Sequence, residues 1–327
     1  MIYGEGQIFY KKMKALICIT LILVFNASAF AWHTTEHETI AEIAWRQMTP
    51  QAREKAVMLL FAAPEDSGVL DMCPLPFDIS AEERGRQFFD KVANWADLLN
   101  DPRFPLRKAK YNAWNHHIDY FFTGTSGVDA RDLTDREPTP KNVSSIDALF
   151  AVAKTLRNPN ATNDEKGVAL AWFLHIAGDM HQPLHNAARV TAQEPDGDQG
   201  GNKLLLNPPT APNERPMNLH RYWDGTFRRA LPRRKNETDV HYTSRCADAL
   251  MKKFPPQNFA AVAKDGEFDE WATEGFEIAK NKLYPASLIR NQKPLRSYEQ
   301  MTAKIAEERI ALAGYRIARQ LNQILAN

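Results

Sequence analysis

The stretch FLHIAGDMHQPLH, Phe173–His185, begins like a buried helix and then places three of the chain's nine histidines next to an aspartate. His175 and Asp179 are four residues apart, so on a helix both side chains project from one face. Pro183 is expected to end that helix and turn the chain back towards His185. Imidazole and carboxylate groups that converge in this way are typical zinc ligands, whereas a lone buried histidine more often belongs to the core.

The same spacing recurs further along the chain, in NLHRYWD, where His220 and Asp224 are again four residues apart. His116 lies in WNHHIDY, and Asp97 ends NWAD. Left unpaired in the interior, such groups would each cost about a few kcal/mol. Bound divalent ions would recover that cost through coordination. Any single pair is weak support for a metal site, but the ensemble predicts one.

The composition limits how a polyanion can be bound. Of 327 residues, 44% are hydrophobic and 25% charged, as in an ordinary globular protein. Lys plus Arg number 41 against 40 Asp plus Glu, so no overall basic field attracts nucleic acid. A polyanionic substrate would have to be held locally, by metals or by a few cations.

The N-terminal region predicts a secretory signal peptide over residues 1–31. Lysines precede an apolar run from Ala15 to Phe25, and Ala29-Phe30-Ala31 forms a small-x-small cleavage site before Trp32. The alternative, a membrane anchor, is disfavoured because the run is short for a hydrocarbon layer of ~30 Å. We therefore expect a secreted or periplasmic protein without a membrane span after cleavage. Of the three cysteines, Cys18 lies in the predicted signal peptide, so Cys73 and Cys246 leave one disulfide possible in the mature chain.

Residues 32–327 read as a single, mainly α domain with little β structure. Apolar residues recur at helical spacing over residues 37–48, 81–100, 144–156, 165–180 and 300–325. The best strand candidate is NKLLLNPP, residues 202–209. Proline-rich stretches at residues 71–77, 138–140 and 207–216 predict loops.

The sequence WHTTEH, which would begin the mature chain, offers further ligands. A free α-amino group has a pKa near 8 and binds a metal that competes with its proton. The amino nitrogen and carbonyl oxygen of Trp32 can close a chelate ring, and His37 can add a third atom. This ligand set would exist only after cleavage before Trp32.

In order along the chain, WHTTEH, NWAD, HHID, HIAGDMHQPLH, GDQGGN and NLHRYWD resemble the secreted three-zinc nucleases that attack single-stranded nucleic acid. The resemblance implies the helical fold shared by these nucleases and zinc-dependent phospholipase C. It implies one zinc at Asp97, His116, His175 and Asp179, and a second at His185, His220 and Asp224. A third would bind Trp32 and His37, with Asp179 bridging to the first. The remaining histidines, His33, His117, His181 and His241, match no ligand position, so we expect them at the surface or behind the ligands.

The resemblance also implies a reaction: a metal-activated water cleaves single-stranded DNA and RNA to 5′-phosphorylated products, and 3′-mononucleotides lose phosphate. Asp119 matches a carboxylate that contacts the base or assists catalysis, and Asp179 is catalytic through its bridge. His117 replaces an aromatic residue that stacks on the base, and Asn202 offers an amide unless GGN is a plain turn. A basic residue is usual where this chain has Asn100, and Arg103 is the nearest substitute. We expect a monomer without a stable protein partner.

Two other functions remain open at this point. Zinc-dependent phospholipase C shares the N-terminal tryptophan and the three-zinc arrangement, but usually has Glu at the position of Asp224. A secreted protein that sequesters zinc or contacts a host, with an inactive site, is the second. The complete ligand set argues against it.

Overall fold

The computed structural model describes residues 32–74, 78–103, 105–207, 216–259 and 268–325, and it is mainly α-helical as predicted. The signal-peptide prediction for residues 1–31 lies outside these residues, as do parts of two predicted loops at 75–77 and 208–215. The helices are α1 (Thr34–Gln47), α2 (Pro50–Ala62), α3 (Ala81–Val92), α4 (Trp95–Leu98), α5 (Pro105–Tyr111), α6 (Ser145–Arg157), α7 (Asn163–Asp179), α8 (Leu219–Asp224), α9 (Thr226–Ala230), α10 (Asp239–Lys253), α11 (Phe268–Ile278) and α12 (Arg296–Leu325).

Helix α7 carries His175 and Asp179, and its start is fixed by its sequence. Thr162 caps the helix by accepting a hydrogen bond from Glu165 N, and the Glu165 side chain accepts one from Thr162 N. This capping box satisfies two of the free donors at the helix start. From Ala169 to Asp179 every residue is buried, so the ligand-bearing end of α7 lies in the core.

Helix α1 packs most extensively against the last helix, α12. A β-carbon placed on Gly314 would lie 2.6 Å from Cβ of Ile43 and 2.9 Å from the carbonyl oxygen of Ile40. Glycine is therefore required where the two backbones approach. This contact holds the buried face of α1, which includes His37, against the rest of the molecule.

The predicted helix over residues 81–100 is two helices, α3 and α4, separated by Ala93 and Asn94. The interruption leaves the carbonyl oxygen of Ala93 available to the ring of His175, 2.7 Å away. The prediction of a single helix was wrong here. Apolar spacing cannot show that a main-chain carbonyl forms its hydrogen bond outside its own helix.

Small sheets complete the fold. Strand β1 (Tyr120–Thr123) pairs in parallel with β3 (Ala187–Val190) and antiparallel with β2 (Arg131–Asp132), and β4 (Leu205–Asn207) pairs with β5 (Met217–Asn218). β4 falls within the predicted strand candidate, whereas β1 and β3 were not predicted. Ile118 N also donates to His185 O at 2.9 Å. The β1–β3 ladder therefore places two ligand-bearing segments side by side.

Within the part of the chain that the structure describes, no helix combines the length and apolar character needed to cross a membrane. Cys73 and Cys246 are both free thiols, so the disulfide that the sequence left possible is not formed. Cys246 is fully buried, and burial raises the pKa of its thiol to about 12.

Candidate metal centre

The structure brings together every side chain that the sequence predicts as a metal ligand. Their ligand atoms form three groups, each with all atoms within 4.8 Å of one another: His37, His175 and Asp179; Asp97, His116 and His175; and His185, His220 and Asp224. The first two groups share His175, so they form one continuous cluster.

Asp179, at the end of α7, lies at the middle of that cluster and is fully buried. Its Oδ1 is 3.1 Å from Nε2 of His37, and its Oδ2 is 3.1 Å from Nε2 of His175. The same Oδ2 is 3.4 Å from Nδ1 of His116. One carboxylate therefore faces ligand groups on two sides, which is the geometry of a bridge.

Main-chain carbonyls set the orientation of three histidines. Nδ1 lies 2.7 Å from Ala93 O in His175, 3.1 Å from His116 O in His185, and 2.8 Å from Gly200 O in His220. Because a carbonyl can only accept, each Nδ1 carries the proton and donates it. In the neutral ring, Nε2 then presents a lone pair, the arrangement in which a histidine binds a metal.

Ring nitrogens of different histidines face each other in two places. Nε2 of His220 lies 3.2 Å from Nε2 of His185, and Nε2 of His175 lies 2.9 Å from Nδ1 of His116. With Nδ1 of His185 and of His220 both protonated, neither Nε2 of that pair can donate to the other. A cation between the rings would satisfy both.

Unpartnered polar atoms show that the residues fit a metal. Both carboxylate oxygens of Asp179 and both ring nitrogens of His37 are buried without a hydrogen bond. An unmet polar atom in the interior costs about 1–3 kcal/mol. Among the described residues, the ion-pair partners of Asp97, Asp179 and Asp224 are histidines. Nitrogen and carboxylate donors without a fixed countercharge suit a divalent ion such as zinc.

Burial and neighbouring charges shift the pKa values in this cluster. Burial by itself would raise the pKa of Asp179, but His175, His37 and His185 outweigh it and hold that pKa well below the usual range. Burial would lower the pKa of His175, but Asp179 and Asp97 raise it to about 9. Asp179 is therefore a permanent anion at neutral pH.

In the group of His185, His220 and Asp224, burial has the largest effect on the pKa values. Burial lowers the pKa of His185 to about 3, so its imidazole is neutral and able to bind a metal. Burial raises the pKa of Asp224 well above its usual range, and the charge of Asp179 adds to the rise. Gln182 opposes this shift because its Nε2 donates to Asp224 Oδ1 at 3.1 Å.

Trp32 is anchored beside Asp179. Its ring is fully buried, and Nε1 donates to the carbonyl oxygen of Gly178 at 3.1 Å. The main chain then enters α1, where His37 N bonds to His33 O at 3.3 Å. The hydrogen bond from Trp32 to Gly178 therefore ties the predicted mature N-terminus to the end of α7, next to Asp179.

Asp119 and His117, two predicted substrate-site residues, lie in the segment before β1. Asp119 is almost fully buried, and burial together with the charge of Asp198 raises its pKa to about 7, while Lys203 opposes the rise. Burial and the rings of His116 and His220 lower the pKa of His117 to about 4, so it is neutral. His117 is half-buried, and its pKa is lowered by histidines of two different ligand groups.

The other two predicted substrate contacts are engaged elsewhere. Both amide atoms of Asn202 make contacts within the protein: Nδ2 donates to Gln199 O at 2.9 Å, and Oδ1 accepts from Asn218 Nδ2 at 3.2 Å. Arg103 is exposed, and its Nε donates to Oδ1 of Asp101 at 2.9 Å. Their roles towards a substrate stay predictions.

Gly200, in the GGN segment, serves a ligand directly. Its φ is +60°, and a β-carbon there would lie 2.3 Å from Leu184 O. This tight loop brings Gly200 O to Nδ1 of His220. The need for glycine at this position is therefore explained by the orientation of His220, and no contact with a substrate has to be assumed.

His181 belongs to none of the ligand groups among the described residues, in agreement with the prediction, but it is not at the surface. It is fully buried; Nδ1 donates to Ala177 O at 2.7 Å, and Nε2 accepts from Arg316 Nη1 at 3.0 Å. Glu274 completes this network by accepting from both Arg316 and Arg309. His33 is half-buried and His241 is exposed.

Sequence reasoning missed the groups that hold the ligands in place. Gln182 is fully buried; it supports Asp224 through Nε2 and accepts from Leu184 N at 2.6 Å through Oε1. The available signal was its place within HQPLH, a polar side chain directly before the proline that ends a buried helix. The carbonyl of Ala93 left no such signal, because any residue supplies one.

Comparison with known proteins agrees with this geometry. The sequence model described as S1/P1 Nuclease matches residues 32–326. Nuclease P1 from Penicillium citrinum is 22% identical over 317 residues, which cover 90% of this chain and 97% of that protein. Nuclease PA3 from a Penicillium species matches equally, and Endonuclease 5 from Arabidopsis thaliana is 22% identical over 332 residues, covering 96% and 97%.

Proposed function

This chain belongs to the S1/P1 nuclease family and is a hydrolase of phosphodiester bonds, and we propose that it uses three zinc ions to cleave single-stranded DNA and RNA. The observation that carries the proposal is the position of Asp179, whose two buried oxygens face His37 and His175 without a hydrogen bond. The nuclease names of the relatives favour this function over phospholipase activity.

The proposed ligand sets are drawn from the residues of the three groups together with Trp32. Asp97, His116, His175 and Asp179 hold the first zinc; His185, His220 and Asp224 hold the second; and Trp32, His37 and Asp179 hold the third. The α-amino nitrogen and carbonyl oxygen of Trp32 serve as ligands once the chain is cleaved before that residue. When bound, the metals supply an activated water and neutralise charge on the phosphate.

The protein's own groups prepare this site. The carbonyls of Ala93, His116 and Gly200 keep three imidazoles in the tautomer that binds metal. Asp119, with a pKa of about 7, is partly ionised at neutral pH and can accept a hydrogen bond from a base or from the reacting water. His117 offers a neutral ring face on which an unstacked base can lie.

A preference for single strands follows from the need to unstack a base before it reaches His117 and Asp119. We propose 5′-phosphorylated products and a further activity on 3′-mononucleotides. Asn202 and Arg103 are proposed to contact the substrate. The enzyme is proposed to act as a monomer.

The location of the protein is part of the same proposal. The N-terminal lysines, the apolar run from Ala15 to Phe25 and the Ala29-Phe30-Ala31 site support export and cleavage before Trp32. The family match also begins at residue 32. Intact-mass measurement of the exported protein tests this directly, since a chain that begins at any residue other than Trp32 contradicts it.

The decisive experiment combines metal analysis of the mature protein with assays on single-stranded DNA, RNA, duplex DNA, 3′-AMP and lecithin. We expect about three zinc ions per chain and hydrolysis of single strands well above that of duplex. Cleavage of lecithin alone would favour the phospholipase, and full metal content without hydrolysis of any substrate would favour a metal-sequestering protein.

A further inference from the structure

A pocket of about 320 Å³ lies beside the candidate metal centre. Its lining residues are His33, Met217, Arg221, Gly225, Arg228 and Arg229. His33 follows the proposed ligand Trp32 directly, and Gly225 follows the proposed ligand Asp224. The pocket is thus joined by the main chain to two of the three proposed metal sites.

Basic side chains converge at Gly225. A β-carbon placed there would lie 3.0 Å from Nη1 of Arg229, and 3.7 Å from both Nη2 of Arg228 and Cδ2 of His33. Glycine therefore leaves open the space on which two guanidinium groups and an imidazole border. Arg221 adds a third guanidinium to the lining.

Among the described residues, Arg228 and Arg229 are only partly neutralised. Nε of Arg228 lies 3.7 Å from Oε1 of the buried Glu36, and Arg228 is 42% exposed. Arg229 is held by uncharged groups: Nη2 donates to Tyr222 O at 2.6 Å and to Thr226 Oγ1 at 2.7 Å, and its guanidinium lies 4.0 Å from the Tyr222 ring centroid. The pocket keeps a net positive charge and a rigidly positioned guanidinium.

Guanidinium groups bind phosphate oxygens through paired, charge-assisted hydrogen bonds. We propose that this pocket binds a phosphate of the substrate strand other than the one that is cleaved. The proposal rests on the proposed nuclease function, because the neighbouring metal centre then acts on the same strand. It also explains how a chain with almost no net charge holds a polyanion: the positive charge is concentrated beside the reacting phosphate.

The test measures whether removing the charge of one phosphate and removing one arginine change KM independently of each other. The substrates are a thymidine trinucleotide with two phosphodiesters, and versions in which either phosphodiester is a neutral methylphosphonate. The proteins are the zinc-loaded mature enzyme, Arg228→Gln, and Arg228→Gln combined with Arg221→Gln. The matched control is Arg131→Gln, because Arg131 is exposed on β2, opposite Thr123 at the end of β1 distant from Asp119.

With the enzyme and with Arg131→Gln, a methylphosphonate at the phosphate that enters the pocket should raise KM about tenfold, the loss of one charge-assisted contact. With the two pocket variants, KM for the natural trinucleotide should already be raised, and the same methylphosphonate should add little. Methylphosphonate penalties that stay equal in all proteins would overturn the proposal.

Three controls separate the possible failures. Metal content and thermal unfolding show whether a variant is intact, and variants that fail either are replaced by Arg228→Lys, which keeps the charge but loses the paired contact. The slope of log KM against log salt concentration should fall by about 0.7 for each phosphate contact removed. If the enzyme cleaves no phosphodiester at all, the proposed function fails. If it cleaves the trinucleotide but the methylphosphonate raises KM equally in all proteins, only the proposed role of the pocket is overturned.

Discussion

Nε2 of His37 and Oδ1 of Asp179 lie 3.1 Å apart, both fully buried, and neither atom makes a hydrogen bond. His37 comes from the first turns of α1 and Asp179 from the last residue of α7. Two helices therefore meet at a pair of lone-pair donors. A cation between the two groups would give both atoms a partner and offset the cost of burying them.

Asp179→Asn should remove more metal than the loss of any single histidine. The amide offers one neutral oxygen where the carboxylate offers two charged ones, so two proposed ions lose a ligand. Metal analysis after dialysis should show a larger deficit than in His37→Gln. His241→Gln, at an exposed histidine, is the control and should keep full metal content. Equal metal content in Asp179→Asn and the control would contradict the bridging role.

A mature chain with one extra residue before Trp32 should lose the third metal and most of its activity. The added peptide bond converts the α-amine into an amide, which does not bind zinc at neutral pH, while the Trp32 ring still bonds to Gly178 O. Metal content and hydrolysis of single-stranded DNA are the measurements. Unchanged zinc and rate would refute the N-terminal ligand.

Gly200→Ala should weaken the second metal site. A methyl group would lie 2.3 Å from Leu184 O, so the loop must move and His220 loses its acceptor. Gly127→Ala is a matched control, because Gly127 also has positive φ, +75°, but no atom lies within 4 Å of the added carbon. Both variants should lose about 1 kcal/mol of stability from the backbone strain. Only Gly200→Ala should lose zinc, and a loss in both would point to strain alone.

Glu274→Gln should destabilise the protein in a way that depends on pH. Burial opposes ionisation of Glu274, but Arg316 and Arg309 outweigh it and lower its pKa to about 2. A carboxylate whose pKa is lower when folded contributes stability above its ordinary pKa of about 4.5 and loses that contribution as pH falls towards 2. Denaturant unfolding should show a loss of about 3 kcal/mol at pH 7, shrinking below pH 4.5. A loss independent of pH would refute the ionic origin.

His181→Ala should keep the metals and lose stability. Arg316 is fully buried and donates to Nε2 of His181, so the substitution leaves a buried donor without its acceptor. The cavity and the unmet donor together should cost about 2–4 kcal/mol. Metal analysis and thermal unfolding on the same sample test both statements, and loss of zinc would show that the two networks are connected.

The side chains of the candidate metal centre could be picked out from the sequence because their signal is local: His and Asp at helical spacing, repeated in several segments. The groups that orient them could not, because they are defined only by tertiary contacts. The carbonyl of Ala93 reaches His175 across 82 residues, and the β1–β3 ladder joins strands of four residues each. Such short strands carry no recognisable alternation. The arginine pocket likewise depends on the fold, which places His33 next to α9.

The packing of α1 against α12 joins distant parts of the chain, because α1 carries His37 and α12 is made about 270 residues later. Gly314 of α12 stands at the closest approach of the two helices. A chain truncated before α12 lacks the surface that holds α1 in place. We therefore expect such a chain to lose the support of His37, and with it one of the proposed metal ligands.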